Sequence, residues 1–343
     1  MAPQRITRFP EPPFLRYPDL ASERLGARAL VASDEFFAPK ESLLRPWNPV
    51  FDHDRYTENG KWMDGWETRR RRTPGHDWCV VRLGTPGIIR GINVDTRHFS
   101  GNHPERASID ACAILDSADE ARAADPFHAE ALPWRQIVGE ILLAPDGDNF
   151  FTVREPFPAT HVRLNIYPDG GVARFRVHGE AALDWPRLAA DGHPIDLGAA
   201  ASGGSVVACS DEFFSAPGNL LLPGRAAGMH DGWETRRRRV PGHDWVVIRL
   251  GHRGRIVRAE VDTHWFKGNH PESTGLEVAD VADAILADDA GWREILPRTR
   301  LDPDAAHVFA PPDLEAMAAT HVRFSIYPDG GVARLRLYGE ILM

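Results

Sequence analysis

The chain has 343 residues and a formal net charge of −9 at pH 7, and hydrophobic residues make up 43% of it. Length and composition predict a globular protein with two domains of ordinary size. The sequence has no run of about 18 apolar residues, which would indicate a membrane span. So acidic a chain lacks the broad basic surface that neutralises many phosphates, which argues against a nucleic-acid partner.

The N-terminal residues 1–18 are rich in proline and lack the apolar segment of a secretory signal. We expect them to form an arm that packs on, or trails from, the first domain. The three cysteines, Cys79, Cys112 and Cys209, are far apart and odd in number. They predict free thiols in a reducing compartment rather than a disulfide or a cysteine zinc site, and hence a cytoplasmic protein.

The rest of the chain is one unit written twice. "SDEFFA" from residue 33 returns as "SDEFFS" from 210, and "DGWETRRRRTPGHDW" from 64 returns as "DGWETRRRRVPGHDW" from 231. "VDTRHFSGNHPE" from 94 and "YPDGGVARFRVHGE" from 167 return from 261 and 327 with few changes. Units of this length are whole domains. We therefore expect a first repeat at 19–182, a linker and start of the second repeat at 183–205, and the second repeat at 206–343.

Short strands dominate each repeat. Val162, Leu164 and Ile166 alternate with polar residues, which predicts a half-buried strand. The "YPDGG" turn that follows predicts a β-hairpin, with Arg174 and Arg334 on its outward face. "WCVVRLG" and "IIRGINVD" are expected to be two strands separated by a Pro-Gly turn. The predicted fold class is all-β, with two tandem jelly-roll β-sandwich domains.

Helical patterns are scarce, and the best candidates are the short segments 118–124, 280–286 and 312–318. The two copies differ most in a loop that is longer in the first. This loop carries Trp47, Phe51, His53 and Tyr56. Because long loops on a rigid scaffold often serve as lids or contact surfaces, we expect one of these roles here.

The arginine tetrads have two interpretations. If each is an extended strand, two arginines point to each face and the four cannot form one patch. They could be a solvated edge strand in which Glu67 pairs with a neighbouring arginine. Alternatively, one arginine in a copy binds a carboxylate through its planar fork. The candidates for substrate binding are Arg69, Arg70, Arg71 and Arg72 in the first copy and Arg236, Arg237, Arg238 and Arg239 in the second.

The repeated "GNHPE" loop offers acid–base groups close to the aspartate of the preceding strand. The catalytic candidates are His103, Glu105 and Asp95 in the first copy and His270, Glu272 and Asp262 in the second, with Asn102 and Asn269 as substrate-binding candidates. Such a group could supply acid and base or hold a metal. The alternative is structural: the asparagine caps a turn and the histidine hydrogen-bonds locally. The spacing matches no zinc motif, so the metal stays unknown.

The four motifs "SDEFFA", "GWETRRRR", "GNHPE" and "YPDGG", each present in both halves, together resemble the allantoicase family over residues 19–340. The resemblance implies two tandem jelly-roll domains, similar to galactose-binding β-sandwiches, and a homo-oligomer. It also implies hydrolysis of allantoate to (S)-ureidoglycolate and urea in allantoin breakdown. The expected partner is then this small molecule, with no nucleic acid and no membrane.

Allantoate carries one carboxylate and two ureido groups on one carbon, so its hydrolysis needs a cation, an acid and a base. We expect an arginine at 69–72 or 236–239 to bind the carboxylate. His103 with Glu105, or His270 with Glu272, would transfer protons, and Asp95 or Asp262 would orient them. No cofactor is required by this scheme, although a divalent metal could hold the ureido oxygen.

A tandem carbohydrate-binding module without catalysis is the alternative function, because jelly rolls often bind sugars and fold alone does not separate the two. Trp47 and Trp265 are its candidates for an aromatic platform. The sequence leaves open whether one repeat or both contain a site.

Overall fold

The computed structural model describes residues 12–114, 117–282, 291–312 and 314–343. The chain divides into two compact units, here called the first and second units, between Ala182 and Leu183. Both consist mainly of strands and loops, which confirms the predicted all-β class of tandem β-sandwiches. None of the helices in the described ranges combines the length and apolar character needed to span a membrane.

Strands of the first unit surround one very long strand. They are β1 Arg28–Ala32, β2 Tyr56–Thr57, β3 Gly60–Lys61, β4 Trp66–Glu67, β5 Asp77–Asp95, β6 Arg106–Cys112, β7 Arg135–Leu142, β8 Asp148–Thr152, β9 Pro158–Tyr167, β10 Gly171–Val172 and β11 Arg174–Ala181. The segment around the Pro-Gly dipeptide lies inside β5, so the prediction of two separate strands there is wrong.

Strand β5 belongs to both layers of the first sandwich. Its first part pairs with β1 and β9, and its last part pairs with β11 and β8. The register with β9 jumps between Arg82 and Gly87, where the strand passes from one layer to the other. Strands that bend in this way form the corners of sandwiches.

The second unit repeats this plan. Its strands are β12 Ile195–Asp196, β13 Ser205–Cys209, β14 Trp233–Glu234, β15 Asp244–Asp262, β16 Ser273–Ala279, β17 Arg293–Arg300, β18 Ala306–Phe309, β19 Ala318–Tyr327, β20 Gly331–Val332 and β21 Arg334–Ile341. β15 pairs with β13 and β19 near its start and with β21 and β18 near its end, as β5 does in the first unit. Stretch 183–205, expected as a linker and the start of the repeat, contains a short helix and β12.

Helices are short. They are α1 Ser117–Ala123 and α2 Trp185–Ala190, with 3-10 turns at Pro13–Arg16, Glu23–Leu25, Lys40–Leu44, Ala129–Ala131, Ala200–Ser202, Pro217–Leu221 and Met229–Asp231. α1 confirms the predicted helix at 118–124. The predicted helix at 312–318 is wrong, because the described part of it is turn and loop that leads into β19. Most of the third candidate, 280–286, lies outside the described residues.

The alternation in β9 is confirmed, but the strand is buried on both faces. Val162, Leu164 and Ile166 face the core with no exposed surface. On the opposite face His161 and Asn165 are also buried. Helix α1 and the following turn cover that face and pack against Trp78, Val80 and Cys112.

The predicted hairpin at the end of each unit is wrong. β9 pairs with β5 and β6, whereas β11 pairs with β5, so the "YPDGG" segment connects two layers instead of two neighbouring strands. Within this connection β10 pairs with β4, and β20 pairs with β14 in the second unit. The connection therefore brings the tetrad segment next to "YPDGG".

Arg174 is not on an outward face, as the sequence predicted, but almost fully buried, and Arg334 is its buried counterpart. Arg174 Nη2 donates to Asp64 Oδ2 at 2.7 Å, and the guanidinium also donates to the Trp47 and Asp64 carbonyls. A buried charge is tolerated when it is paired and hydrogen-bonded in this way. The ion pair fastens the long first-unit loop to β11.

The expected N-terminal arm is described from residue 12 onward, and residues 1–11 lie outside the described part. Phe14 is buried, and its ring centroid lies 6.2 Å from that of Phe150. Its ring occupies the space beside Gly91, where a Cβ atom would lie only 2.2 Å from the ring. This part of the arm thus packs on the first unit.

Candidate functional site

The two turns that both copies share, "YPDGG" and "GNHPE", are packed directly against each other. Gly331 N donates to the Asn269 carbonyl at 2.9 Å. A Cβ atom at Gly330 would lie 2.6 Å from the same carbonyl, and one at Gly331 would lie 1.9 Å from the Phe266 ring. Both positions therefore require glycine, and Gly330 has φ 137° as well. The first unit has the same arrangement at Gly170 and Gly171.

Glu234 stands between these turns and the arginine tetrad. The preceding Trp233 is fully buried and its Nε1 donates to the Asp211 carbonyl, so the next side chain of the strand points the other way. Asn269 Nδ2 donates to Glu234 Oε1 at 2.6 Å. One carboxylate oxygen is thereby fixed by the "GNHPE" loop, and the carboxylate faces a cavity.

Glu67 is the first-unit counterpart and accepts from Asn102 Nδ2 at 2.6 Å. Burial raises the pKa of the Glu67 carboxyl above its ordinary value, and the hydrogen bond from Asn102 opposes that rise without cancelling it. The expectation that Glu67 pairs with a neighbouring arginine is wrong, because its partner is this amide. The only sign of this contact in the sequence was that the glutamate and the asparagine both recur in the second copy.

The tetrads are not strands. β14 ends at Glu234 and β15 begins at Asp244, and the arginines lie in the irregular segment between them. Arg236 Nε donates to Asp211 Oδ2 at 2.9 Å, and Arg238 Nη2 donates to Asp244 Oδ1 at 2.9 Å. These two arginines hold the segment in place.

Arg237 differs from its two neighbours. It is exposed and lines the cavity, and no carboxylate in the described ranges pairs with it. In the first unit Arg69 pairs with Asp34 and Arg71 lies 3.8 Å from Asp77, while Arg70 is exposed and likewise has no acidic partner among the described residues. The structure thus separates two structural arginines of each tetrad from two that have no acidic partner among the described residues. Arg72 and Arg239 are the other members without such a partner, and both are exposed, but Arg239 is not among the residues that line the cavity.

His270 lines the same cavity as Glu234 and Arg237. Within the described part of the chain its ring makes no hydrogen bond, and Nδ1 is buried. His103 Nδ1 is buried and unpaired in the same way. The local hydrogen bond that a purely structural histidine would make is therefore absent among these residues.

Glu272 and Glu105 form no hydrogen bond or ion pair with the histidines among the described residues. Glu272 pairs with Arg298 Nη2 at 3.0 Å, and about two thirds of its side chain is exposed. Glu105 is equally exposed and lies 3.6 Å from Arg106. Glu272 still lines the cavity, but it is tied to a rim cation.

Asp95 and Asp262 are not brought to the histidines. Asp95 is buried, and both of its oxygens accept from the Arg97 guanidinium. Asp262 Oδ1 accepts from His264 Nδ1 at 2.5 Å. Each carboxylate is occupied by the residue two positions further on, so the structure supports no orienting contact to His103 or His270.

The second-unit cavity has a volume of about 680 Å³ and collects these groups. Among its lining residues are Glu234, Arg237, Asn269, His270, Glu272 and Arg300. Asp329 also lines it, but one of its oxygens accepts from Arg238 N at 2.7 Å. The cavity thus presents a carboxylate, an imidazole and unpaired guanidinium groups, which suits an anionic substrate that exchanges protons.

Arg300 was missed in the sequence, because it lies on β17 outside the repeated motifs. It pairs in register with Ser273, and the first-unit strand places Leu142 at the equivalent position opposite Arg106. Its guanidinium forms no ion pair with any residue that the structure describes. Only a comparison of the two copies strand by strand could have drawn attention to this difference.

The long first-unit loop lies beside the corresponding first-unit groups. Asn59 Nδ2 donates to the Phe36 carbonyl at 2.8 Å, and Phe51 stacks on His98 with ring centroids 5.8 Å apart. Phe36 lies two residues after Asp34, which forms an ion pair with Arg69 of the tetrad. The loop therefore borders the tetrad side of the first unit.

A metal centre receives no support from side-chain grouping. In the described ranges, no three His, Cys, Asp or Glu side chains are close enough together to hold a metal ion. The three cysteines are free thiols, as predicted.

Comparison with known proteins identifies the repeat. The family model described as "Allantoicase repeat" matches residues 18–182 and 195–342. A "Probable allantoicase" from Pseudomonas aeruginosa is 47% identical over 333 residues, covering 96% of this chain and 97% of the relative. "Probable allantoicase 2" from Burkholderia pseudomallei is 49% identical over 330 residues, covering 95% of both chains.

Solved structures agree. The crystal structure of allantoicase from Saccharomyces cerevisiae is 33% identical with a TM-score of 0.78, covering 94% of this chain and 92% of that one. A second structure, of an allantoicase, has a TM-score of 0.79 at the same identity and covers 94% of this chain and 93% of the other. With both repeats matched and relatives similar over nearly their full length, the chain belongs to the allantoicase family.

Proposed function

We propose that this protein hydrolyses allantoate to ureidoglycolate and urea, and that the second-unit cavity is the reaction site. The observation that carries the proposal is the grouping of Glu234, His270, Arg237 and Arg300 around one cavity in a member of the allantoicase family. Relatives named as allantoicases favour this function over a carbohydrate-binding module.

The reaction exchanges one bond at the central carbon of allantoate. The oxygen of a water molecule bonds to that carbon, and the bond from the carbon to one ureido nitrogen breaks. The water loses one proton to a base, and the departing nitrogen gains one from an acid and leaves as urea. The carboxylate stays unchanged and serves to hold the substrate.

Arg237 and Arg300 are suited to bind this carboxylate. Both line the cavity, and neither is neutralised by an acidic residue of the described chain. A planar guanidinium can donate two parallel hydrogen bonds to a carboxylate, which fixes orientation as well as position. Arg236 and Arg238 are excluded from this role by their own aspartate partners.

Glu234 and His270 are suited to move the protons. Asn269 occupies one oxygen of Glu234, which leaves the other to accept a proton from water. His270 has no competing hydrogen bond among the described residues, and as an imidazolium it can protonate the departing nitrogen. The sequence predicted Glu272 as the carboxylate that works with His270, and we now assign this role to Glu234.

The first unit has the same set of glutamate, asparagine, histidine and free arginine, at Glu67, Asn102, His103 and Arg70. It has Leu142 in place of Arg300, so its hold on a carboxylate rests on one arginine. We therefore assign the first unit a higher KM and a minor share of turnover at low allantoate concentration. We also propose a cytoplasmic homo-oligomer, which sedimentation of the purified protein would test.

Incubation of the purified protein with allantoate tests the function. We expect urea and ureidoglycolate to form in equal amounts. His270→Ala removes a proton-transfer group and should lower the kcat of the second unit by about 10²–10⁴-fold. The total rate at low allantoate concentration should then fall to the minor share of the first unit. Circular dichroism of the variant serves as the folding control. Absence of urea from the wild-type reaction would contradict the function, whereas normal turnover by the folded variant would contradict only the role of His270.

A further inference from the structure

The second unit contains another cavity, of about 320 Å³, on the sheet face formed by β16, β17 and β19. His243, Gly275, Ser325 and Tyr327 line it, together with several charged side chains. Three of those charges are already paired: Arg323 donates to both oxygens of Glu277, and Arg298 pairs with Glu272. Glu294 is exposed and has no ion pair among the described residues. An ionic ligand would have to compete with these pairs.

The equivalent positions of the first unit are joined by a chain of hydrogen bonds. His76 Nε2 lies 3.3 Å from Asn165 Oδ1, and Asn165 Nδ2 donates to Ser108 Oγ at 3.1 Å. Ser108 Oγ lies 2.9 Å from Tyr167 Oη. The carboxamide of Asn165 therefore links the histidine to the serine, and the serine links it to the tyrosine.

The second unit keeps both ends of this chain and lacks its middle. His243 stacks on Tyr327 with ring centroids 4.6 Å apart, and the first-unit pair is stacked at 4.7 Å. Between them, Ser325 occupies the position of Asn165, and Gly275 occupies the position of Ser108. A carboxamide and a hydroxyl are thus missing where the cavity lies.

The polar groups left behind have no hydrogen-bond partner in the part of the chain that the structure describes. Ser325 is only 2% exposed, and its Oγ is buried without a hydrogen bond among the described residues. The His243 ring and the Tyr327 hydroxyl likewise make no hydrogen bond within the described ranges. A buried hydroxyl without a partner is costly, so a site that leaves one free points to a ligand or ordered water.

We propose that this cavity binds a small uncharged carboxamide or urea, which takes the place of the Asn165 side chain. Such a group both donates and accepts hydrogen bonds, as the serine hydroxyl, the imidazole and the phenol require. The cavity also lies beside the stacked His243 and Tyr327, on which a planar group can pack. Urea, the product of the proposed reaction, belongs to this class, but the binding site does not depend on that reaction.

The position of the cavity links it to the proposed reaction site. Arg298 lies on its wall, with the guanidinium carbon 4.5 Å from the Tyr327 ring centroid. The partner of Arg298 is Glu272, which lines the larger cavity. One ion pair thus joins the walls of the two cavities.

Binding of N-methylurea to the full chain tests the proposal without any substrate present. We expect saturable, millimolar binding in saturation-transfer NMR. The double variant Gly275→Ser with Ser325→Asn should lose it, because these changes rebuild the first-unit chain and fill the cavity. The converse variant, Ser108→Gly with Asn165→Ser, should double the ligand bound per chain in equilibrium dialysis.

Thermal melting shows whether each variant is folded. If a variant does not fold, the binding of N-methylurea to the wild type still tests the proposal. The proposal is overturned if the wild type shows no saturable binding, or if the folded filled variant binds as well as the wild type. A crystal soaked in N-methylurea that shows only ordered water in this cavity would overturn it as well. Absence of urea production from allantoate would leave the binding result unaffected.

Discussion

Arg300 is the residue at which the charges of the two candidate sites differ. It adds a second unpaired guanidinium to the second-unit cavity, where the first unit has the exposed Leu142. A cation that binds the unreacting carboxylate contributes equally to the ground state and the transition state. Its loss should therefore act mainly on KM.

We predict that Arg300→Leu, which copies the first unit, raises KM for allantoate about 10-fold and changes kcat little, as expected for a lost charge-assisted hydrogen bond. Steady-state urea release would measure both constants. Leu142→Arg is the matched control and should leave KM for allantoate close to that of the wild type. An unchanged KM in Arg300→Leu would remove this arginine from the carboxylate site.

The buried thiols also allow a prediction. Burial raises the pKa of the Cys112 thiol to about 12, and it raises that of Cys79 further. Both therefore stay protonated and unreactive at pH 8, whereas the third, Cys209, is only partly buried. Ellman's reagent should titrate about one thiol in the folded chain at this pH and all three after denaturation. Three fast-reacting thiols in the folded protein would be inconsistent with this packing.

At the scale of elements, the packing of "YPDGG" on "GNHPE" builds the site in each unit. Gly331→Ala would place a Cβ atom against the Phe266 ring and push the two turns apart. We predict a loss of about 1–3 kcal/mol in the free energy of unfolding from overpacking, together with lower turnover. Gly268→Ala is the control, since no heavy atom lies within 4 Å of its Cβ position. Equal stability of the two variants would show that the turns are not held by this contact.

The ion pair between Arg174 and Asp64 fastens the long loop of the first unit. Both side chains are 1% exposed, so Asp64→Asn leaves a buried guanidinium without its counter-charge. We predict a loss of about 3–5 kcal/mol in the free energy of unfolding, measured with guanidinium chloride because urea is the proposed product. Asp34→Asn removes a partner of the exposed Arg69 and should cost about 1 kcal/mol or less. Similar losses in both variants would contradict the assigned roles.

At the scale of the whole molecule, the sequence could predict the repeat, the all-β class and the family. Long motifs that recur in both halves carry this information. The course of the chain between strands could not. "YPDGG" has the residues of a tight hairpin turn, but tertiary pairing with "WE" makes it a connection between layers. The Pro-Gly dipeptide in β5 likewise marks a bend within a strand instead of a break.

The candidate site was predicted in part. The predicted loops do come together, since His270, Asn269 and Arg237 line one cavity. Their roles in the reaction stay a prediction. Which two arginines of the second tetrad are held by carboxylates depends on the positions of Asp211 and Asp244, which are distant in sequence or follow a turn. The role of Glu234 depends on its hydrogen bond with Asn269, and no pattern in the neighbouring sequence predicts a contact between residues so far apart in the chain.

The central claim, that allantoate is cleaved in the second unit with Glu234 as the base, is tested most directly by two matched variants. Glu234→Gln and Glu67→Gln each replace a carboxylate by an amide of the same shape, next to Asn269 and Asn102. In urea-release assays at allantoate concentrations well below KM, we predict that Glu234→Gln lowers the rate to about a tenth, the share of the first unit, and that Glu67→Gln keeps most of the wild-type rate. Near-normal turnover in Glu234→Gln, with loss of turnover in Glu67→Gln, would place the reaction in the first unit and contradict this account.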